Sequence, residues 1–334
     1  MSAVTRLHES HRAASPQSAT VWRNRPWFGT YAATLCPFHE DESLDAEGLH
    51  NYISELAGVS GIQGVVCNGH TGEIMSLRPH ERVNVTQVVA QAVAVSPRKV
   101  KVVSGVSAEG SIEAIEHAIA AREAGADAIL LMPPHHWLRF GRTAQTAIGF
   151  IQDVAEAADI DIILHQYPSW TKAGYTLAEM QEMVRHPRLV AVKMGTRDMS
   201  RWLYDYETLK EVKPSLSIIT CHDEFLLPTL LEGADGALVG FAGFAPSLIV
   251  RLVSAALDGD LARAKEAQQH VAPLARMIYR FGEPGCGAHQ RMKVARWLMG
   301  HFPSPHVRRP VRPLPPEEIK WIRTTLARIG YDGM

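Results

Sequence analysis

Cysteine is scarce in this chain of 334 residues: there are four (Cys36, Cys67, Cys221, Cys286), widely spaced and without a CxxC pair. That spacing argues against a disulfide framework and a zinc site and points to free thiols in a reducing compartment, so a cytoplasmic location is expected. Long apolar runs are also missing. No stretch of about eighteen apolar residues occurs, so neither a transmembrane helix nor a membrane partner is expected. Net charge is nearly absent at −1, with pI near 7.0. No global field therefore favours nucleic acid or an anionic membrane. Residues 1–26 carry Arg6, Arg12, Arg23 and Arg25 against Glu9, and lack the apolar core of a secretory signal. They read as a flexible or subunit-contacting tail. No GxGxxG follows the first apolar run, which disfavours an open dinucleotide-binding sheet.

What is present is a repeating α/β pattern. Short runs rich in Val, Ile, Leu and Ala stand at Thr30–Leu35, Gly64–Cys67, Val100–Ser104, Ala128–Met132, Asp161–Leu164, Leu189–Lys193, Ser217–Thr220 and Gly236–Val239. They are nearly continuous rather than alternating, as parallel strands buried on both faces require. Amphipathic stretches such as Ile112–Ala124 and Leu177–Val184 lie between them. A junction recurs, with Glu123–Ala128 resembling Glu232–Ala237 and Gly58–Gly61 at an equivalent place. A glycine there can end a helix in the left-handed conformation and turn the chain into a strand. Eight such units predict a (β/α)₈ TIM barrel over residues 27–250. After Pro246 the pattern is helical (Pro246–Ala256, Leu261–Tyr279, Gln290–Gly300, Pro316–Ile329), with an extended proline-rich connection over Pro303–Pro316. Residues 251–334 are expected to form a helical appendage.

Catalytic residues of such barrels stand at the C-terminal ends of the strands. The candidates are Asn68–Glu73 after strand two, Pro133–Trp137 after strand four, His165–Pro168 after strand five, Lys193 on strand six, and Cys221–Asp223 after strand seven. A lysine on a buried strand loses its charge readily, and a neutral amine attacks a carbonyl to give an imine. The alternative is a strand-end lysine that extends to water. The glycine-rich turn Gly69–Glu73 is either a tight loop or a nest of N–H groups for a carboxylate.

In combination these segments resemble the dihydrodipicolinate synthase / N-acetylneuraminate lyase family of class I Schiff-base aldolases. The family's GTTGE loop stands here as Gly69-His70-Thr71-Gly72-Glu73, and its imine lysine as Lys193 in Val190-Ala191-Val192-Lys193. Its C-terminal EPNP…VK segment matches Glu283-Pro284 and Met292-Lys293. The resemblance runs from Gly29 to Gly330. It implies that Lys193 forms an imine with pyruvate or another 2-oxo acid, and that Gly69, His70, Thr71 and Gly72 bind its carboxylate. No cofactor or metal is implied. It also implies a homo-oligomer, a dimer or tetramer.

The chain departs from that pattern at informative places. The family's tyrosine, 28 residues before the lysine, is His165 here, and Tyr167 follows on the same strand face. His165 is the expected proton carrier, with Tyr167 as its companion. Trp170 replaces the synthase's carboxylate-binding arginine, and His135 or His136 replaces its second tyrosine. The second substrate, an aldehyde or a sugar acid, is then expected to be less anionic, flat or apolar. His70, His136, His165 and His222 are expected to face one mouth, as proton carriers or pocket walls. A metal site is the less favoured reading, since only Asp223 and Glu224 stand near as carboxylates. Leu238 completes the candidate substrate-binding set of Gly69, His70, Thr71, Gly72, His136, Trp170 and His222. Three rivals to an aldolase remain. These are a dehydratase acting on a deoxy-keto sugar acid through the same imine, 4-hydroxy-tetrahydrodipicolinate synthase proper, and a non-catalytic 2-oxo-acid binding protein. A metal-dependent hydrolase is a weaker fourth.

Overall fold

The computed structural model describes residues 21–168, 172–280 and 287–331. Eight parallel strands close into a barrel in chain order: β1 Gly29–Ala33, β2 Ile62–Cys67, β3 Lys101–Val106, β4 Ala128–Leu131, β5 Asp161–Gln166, β6 Leu189–Met194, β7 Ser217–Thr220 and β8 Gly236–Val239. Closure is made by β8 pairing with β1, Gly236 opposite Gly29. The helices are α1 Ala46–Gly58, α2 Pro79–Ala94, α3 Ser111–Glu123, α4 Trp137–Phe140, α5 Ala144–Ala158, α6 Leu177–Met183, α7 Met199–Val212, α8 Leu226–Leu231, α9 Gly240–Phe244, α10 Pro246–Leu257, α11 Leu261–Tyr279, α12 Ala288–Leu298 and α13 Pro316–Ile329. Among the described residues no helix is long and apolar enough to cross a membrane.

Successive strand residues point to opposite sides of the sheet. On β5, Ile162 and Leu164 join the outer core beneath the helices, while Ile163 turns inward. Inward residues from the other strands (Tyr31, Val66, Val103, Leu130, Ala191, Ile219, Leu238) fill the barrel in layers. Trp27 stacks on Tyr31 at 6.0 Å and joins the same inner cluster. The repeated junction glycines act as expected: Gly125 and Gly233 adopt φ of +100° and +106°, a conformation that a side chain rarely tolerates.

Two elements cross the expected boundaries. Helix α10 runs from Pro246 to Leu257, so residue 250 falls inside it. The expected tail 1–26 is not loose throughout: Val21–Asn24 forms a 3-10 turn, with the Trp22 indole and Arg23 guanidinium donating to the Asp258 carboxylate. Residues 1–20 lie outside the described residues.

The proline-rich arm is fastened to the barrel mouth. Arg308 donates two 2.8 Å bonds to Glu81 and further bonds to the carbonyls of Glu42 and Ser76. Ser304 donates to the Phe38 carbonyl at 2.6 Å. These bonds bring the C-terminal helices over the strand ends, where α12 becomes a wall of the site.

Candidate active site

A cavity of about 510 Å³ opens at the C-terminal ends of the strands. Strand periodicity builds its wall. Ile163, His165 and Tyr167 share one face of the chain at β5, and Ala191 and Lys193 share one at β6. Ile219, Cys221 and Asp223 do so at β7, and Leu238 and Gly240 at β8. Lys193, Tyr167, Cys221, Asp223 and Leu238 all line the cavity, together with Gly69, His70 and Thr71 of the loop after β2. Lys193 is partly accessible through this opening. Burial holds its amine below the usual lysine pKa, against the opposing pull of Cys221 and Asp223. A neutral amine at a barrel strand end is a competent nucleophile.

His165 lies opposite Lys193 in the β5–β6 register. It is 1% exposed, and neither ring nitrogen has a hydrogen-bond partner among the described residues. Burial, then the neighbouring Lys193 and His70, keep its imidazole well below the usual pKa, so the ring is neutral near pH 7. Its ring centroid lies 5.5 Å from those of both His70 and Tyr167. Tyr167, and not His165, stands in the cavity wall; His165 sits behind it. Gly195 makes room for this arrangement, because a Cβ there would overlap the Tyr167 ring. The Tyr167 hydroxyl also bonds with Arg197, which Glu224 grips through contacts of 2.9 and 3.0 Å.

The loop Gly69–Glu73 is held from below. Asn68, in left-handed backbone, donates to the Arg82 carbonyl and to the Thr86 and Ser104 hydroxyls. The N–H groups of His70, Thr71 and Gly72 have no partner among the described residues. Thr71 lies against Gly240. Gly72 does not line the cavity; it packs against the Thr34 carbonyl at the end of β1.

The expectation of four histidines facing one mouth is corrected. His136 is exposed and engages Glu109 through its N–H at 2.6 Å and its Nδ1 at 3.0 Å; its neighbour His135 lines the cavity instead. His222 is fully buried outside the cavity, with Nε2 against the Thr196 carbonyl at 2.9 Å and its ring stacked on Phe225. Burial lowers its pKa to about 4. His70 is at the wall, and His165 is behind it. Trp170 and Glu283-Pro284 lie outside the described residues. Among the described residues no group of three or more His, Cys, Asp or Glu side chains is arranged to hold a metal ion.

Asp223, named among the strand-seven candidates but given no substrate role, is a wall residue. It accepts from the Phe241 N–H at 2.9 Å and from the Tyr279 hydroxyl. Burial pushes its carboxyl up to about 6 against those bonds. Its position two residues after Cys221 was a usable signal. Tyr279, Ala288, His289 and Met292 reach the cavity from α11 and α12; of these only Met292, in the segment that resembles the family's, was marked in the sequence.

Comparison with known proteins agrees with this geometry. Residues 27–329 match the dihydrodipicolinate synthetase family. The chain is 30% identical over 303 residues to a 4-hydroxy-tetrahydrodipicolinate synthase of Methanothrix thermoacetophila, covering 90% of this chain and 97% of that one. It is 30% identical over 309 residues to another from Haloarcula marismortui, covering 92% and 95%. A solved structure of an E. coli K12 prophage protein of the dihydrodipicolinic acid synthase family, in complex with pyruvate, superposes with a TM-score of 0.82. It is 27% identical, over 91% of this chain and 99% of that one. A barrel of eight parallel strands with a lysine-bearing cavity at its mouth defines a class I aldolase-type lyase. The chain belongs to the dihydrodipicolinate synthetase family.

Proposed function

We propose that the protein forms an imine between Lys193 and pyruvate or a related 2-oxo acid, and uses it to make or break a carbon–carbon bond to an uncharged aldehyde. The observation that carries this reading is the Lys193 amine, depressed in pKa, in a cavity whose wall also holds His70 and Thr71, with N–H groups unpartnered among the described residues. Those donors and the Thr71 hydroxyl suit the carboxylate of a 2-oxo acid. The pyruvate complex of the E. coli relative supports the same choice of ligand.

The Lys193 amine adds to the C2 carbonyl and water leaves, giving an iminium ion. That cation acidifies C3, whose proton departs to give an enamine, and the enamine carbon attacks the aldehyde. Tyr167 is suited to carry these protons, with the neutral His165 ring packed against it and the His70 ring against His165 in turn. The second substrate's charge follows from the wall. Among the described lining residues there is no arginine and no lysine besides the imine-forming Lys193, and Leu130, Leu238, Val66, Ala288 and Met292 supply apolar surface. A substrate bearing a second carboxylate finds no guanidinium there, which favours an aldehyde without one over the synthase's own co-substrate.

Borohydride reduction in the presence of pyruvate tests the reading. A stable adduct is expected on the tryptic peptide carrying Lys193, and none in Lys193→Ala. Absence of the adduct with pyruvate and with a panel of longer 2-oxo acids refutes it.

A further inference from the structure

The imine chemistry accounts for one side of the cavity and leaves the wall supplied by α12 without a task. Three histidines line the cavity: His70, His135 and His289. His70 is absorbed by the cluster with His165. His135 has Glu109 at 3.9 Å, but both side chains are well exposed (35% and 53%), so that carboxylate is screened by water. His289 differs, because a buried carboxylate stands behind it.

His289 and Lys293 lie four residues apart on α12 and therefore share a helix face. Both face Glu73, the last residue of the loop after β2. The Lys293 ammonium is fully buried; it donates to Glu73 Oε1 at 2.5 Å and to the His306 carbonyl at 2.8 Å. Glu73 is held in left-handed backbone with φ of 56°, and its side chain is 3% exposed. Its second oxygen, Oε2, is sealed from solvent without a hydrogen-bond partner, and so is His289 Nε2, 4.0 Å away. A shift of about 1 Å brings those two atoms to hydrogen-bonding distance. The rest of the His289 ring is not sealed. The side chain keeps 28% of its surface and borders the cavity, so the edge carrying Nδ1 is the one turned to a ligand.

We propose that His289 is a catalytic base toward the second substrate, oriented by Glu73, which Lys293 fixes in place. The proposal rests on the imine reading above and deepens it, assigning as substrate class 4-hydroxy-2-oxo acids with an uncharged group on C4. Glu73 accepts from Nε2–H, which leaves the Nδ1 lone pair facing the cavity. In the cleavage direction Nδ1 takes the proton of the C4 hydroxyl of the imine-bound substrate, and the C4–O bond becomes a carbonyl. The C3–C4 bond breaks, its electron pair forms the C2=C3 bond and the C2=N⁺ π pair moves onto nitrogen, giving the enamine on Lys193. The aldehyde departs, and C3 is later reprotonated. Condensation is the same sequence in reverse, with His289 returning the proton to the new alkoxide. A carboxylate behind an imidazole in this way fixes its tautomer and strengthens it as a base. Burial lowers the His289 pKa, with Glu73 opposing and Lys293 reinforcing, so the ring is neutral and can accept a proton near pH 7.

The test separates this step from imine formation. His289→Ala and the bulkier His289→Gln are compared with the intact protein in three measurements. These are borohydride trapping of pyruvate on Lys193, deuterium exchange into the pyruvate methyl group, and cleavage of 4-hydroxy-2-oxopentanoate and 4-hydroxy-2-oxo-4-phenylbutanoate. Trapping and exchange need only Lys193 and its own proton carrier, and both are expected within about twofold of wild type in a folded variant. Cleavage is expected to fall about 100-fold, the size of effect of losing a positioned acid/base group. Unchanged cleavage, or trapping and exchange that fall in step with it, overturns the assignment. So does a wild-type protein that is trapped by pyruvate yet cleaves neither probe. A wild-type protein that is not trapped at all refutes the Lys193 reading itself.

Discussion

Replacing Lys293 by methionine probes the joint between the C-terminal helices and the Gly69–Glu73 loop. The Lys293 side chain is 0% exposed and Glu73 is 3% exposed, so the pair is sealed from water on both sides. Methionine fills most of the volume but leaves Glu73 Oε1 without its 2.5 Å donor. Breaking a buried pair by removing one partner costs roughly 3–5 kcal/mol, because the remaining charge stays uncompensated. A chain of 334 residues unfolds with an entropy of about 0.7 kcal/mol/K, at about 2.1 cal/mol/K per residue. The melting temperature of Lys293→Met is therefore expected to fall by about 4–7 °C in calorimetry. Glu73→Gln in the same background removes the stranded charge. The double variant is expected to recover at least about 1 kcal/mol relative to the sum of the two single losses. A single variant within about 1 °C of wild type, or strictly additive losses, refutes the view that this pair is a coupled, desolvated joint.

Gly195→Ala forces a Cβ into the Tyr167 ring and the Gln166 carbonyl. It should lose about 1–3 kcal/mol of stability from overpacking and slow pyruvate methyl exchange at least about tenfold, because Tyr167 leaves the wall. Wild-type exchange rates in a folded Gly195→Ala protein count against Tyr167 as the proton carrier. The Asp223 carboxyl, raised to about 6 in the fold, makes a second prediction. Its folded pKa lies above the unfolded value near 4, so its contribution is fully present below pH 4 and is lost as pH rises through 6. Urea unfolding should show wild type losing up to about 3 kcal/mol relative to Asp223→Asn between pH 4 and pH 7. Parallel stability curves for the two proteins contradict a buried, protonatable Asp223.

The barrel itself was legible because its signal is local. Eight apolar runs and the glycine junctions at Gly125 and Gly233 are statements about neighbouring residues, and the observed strands begin and end within a few residues of them. Thr71 followed from the loop's resemblance to the family's GTTGE segment, whereas the same period of two puts Lys193 and Tyr167 on the mouth. It was also strong enough to exclude His222, had it been applied there. On the chain through β7, Ile219, Cys221 and Asp223 turn inward, so residue 222 must turn outward, and it does, into the packing beside Phe225. Parity fails only where the strand geometry stops. After β4 the prolines at 133 and 134 break the alternation, and His135 rather than His136 ends in the cavity.

A different limit governs the wall made by α11 and α12. Glu73 and Lys293 are separated by 220 positions, and apart from the family resemblance of Met292-Lys293 the helix bearing them reads only as amphipathic. A lysine on such a face is ordinarily solvated. It is buried here because the arm that includes Ser304 and Arg308 anchors on Phe38, Ser76 and Glu81 and presses α12 onto the loop. The chemistry of the first substrate therefore follows from strand order, whereas that of the second depends on a long-range closure that no local period encodes. Relatives that share the barrel and the lysine are free to differ in co-substrate through α12, and in this chain the residue that α12 brings to the cavity with a buried carboxylate behind it is His289.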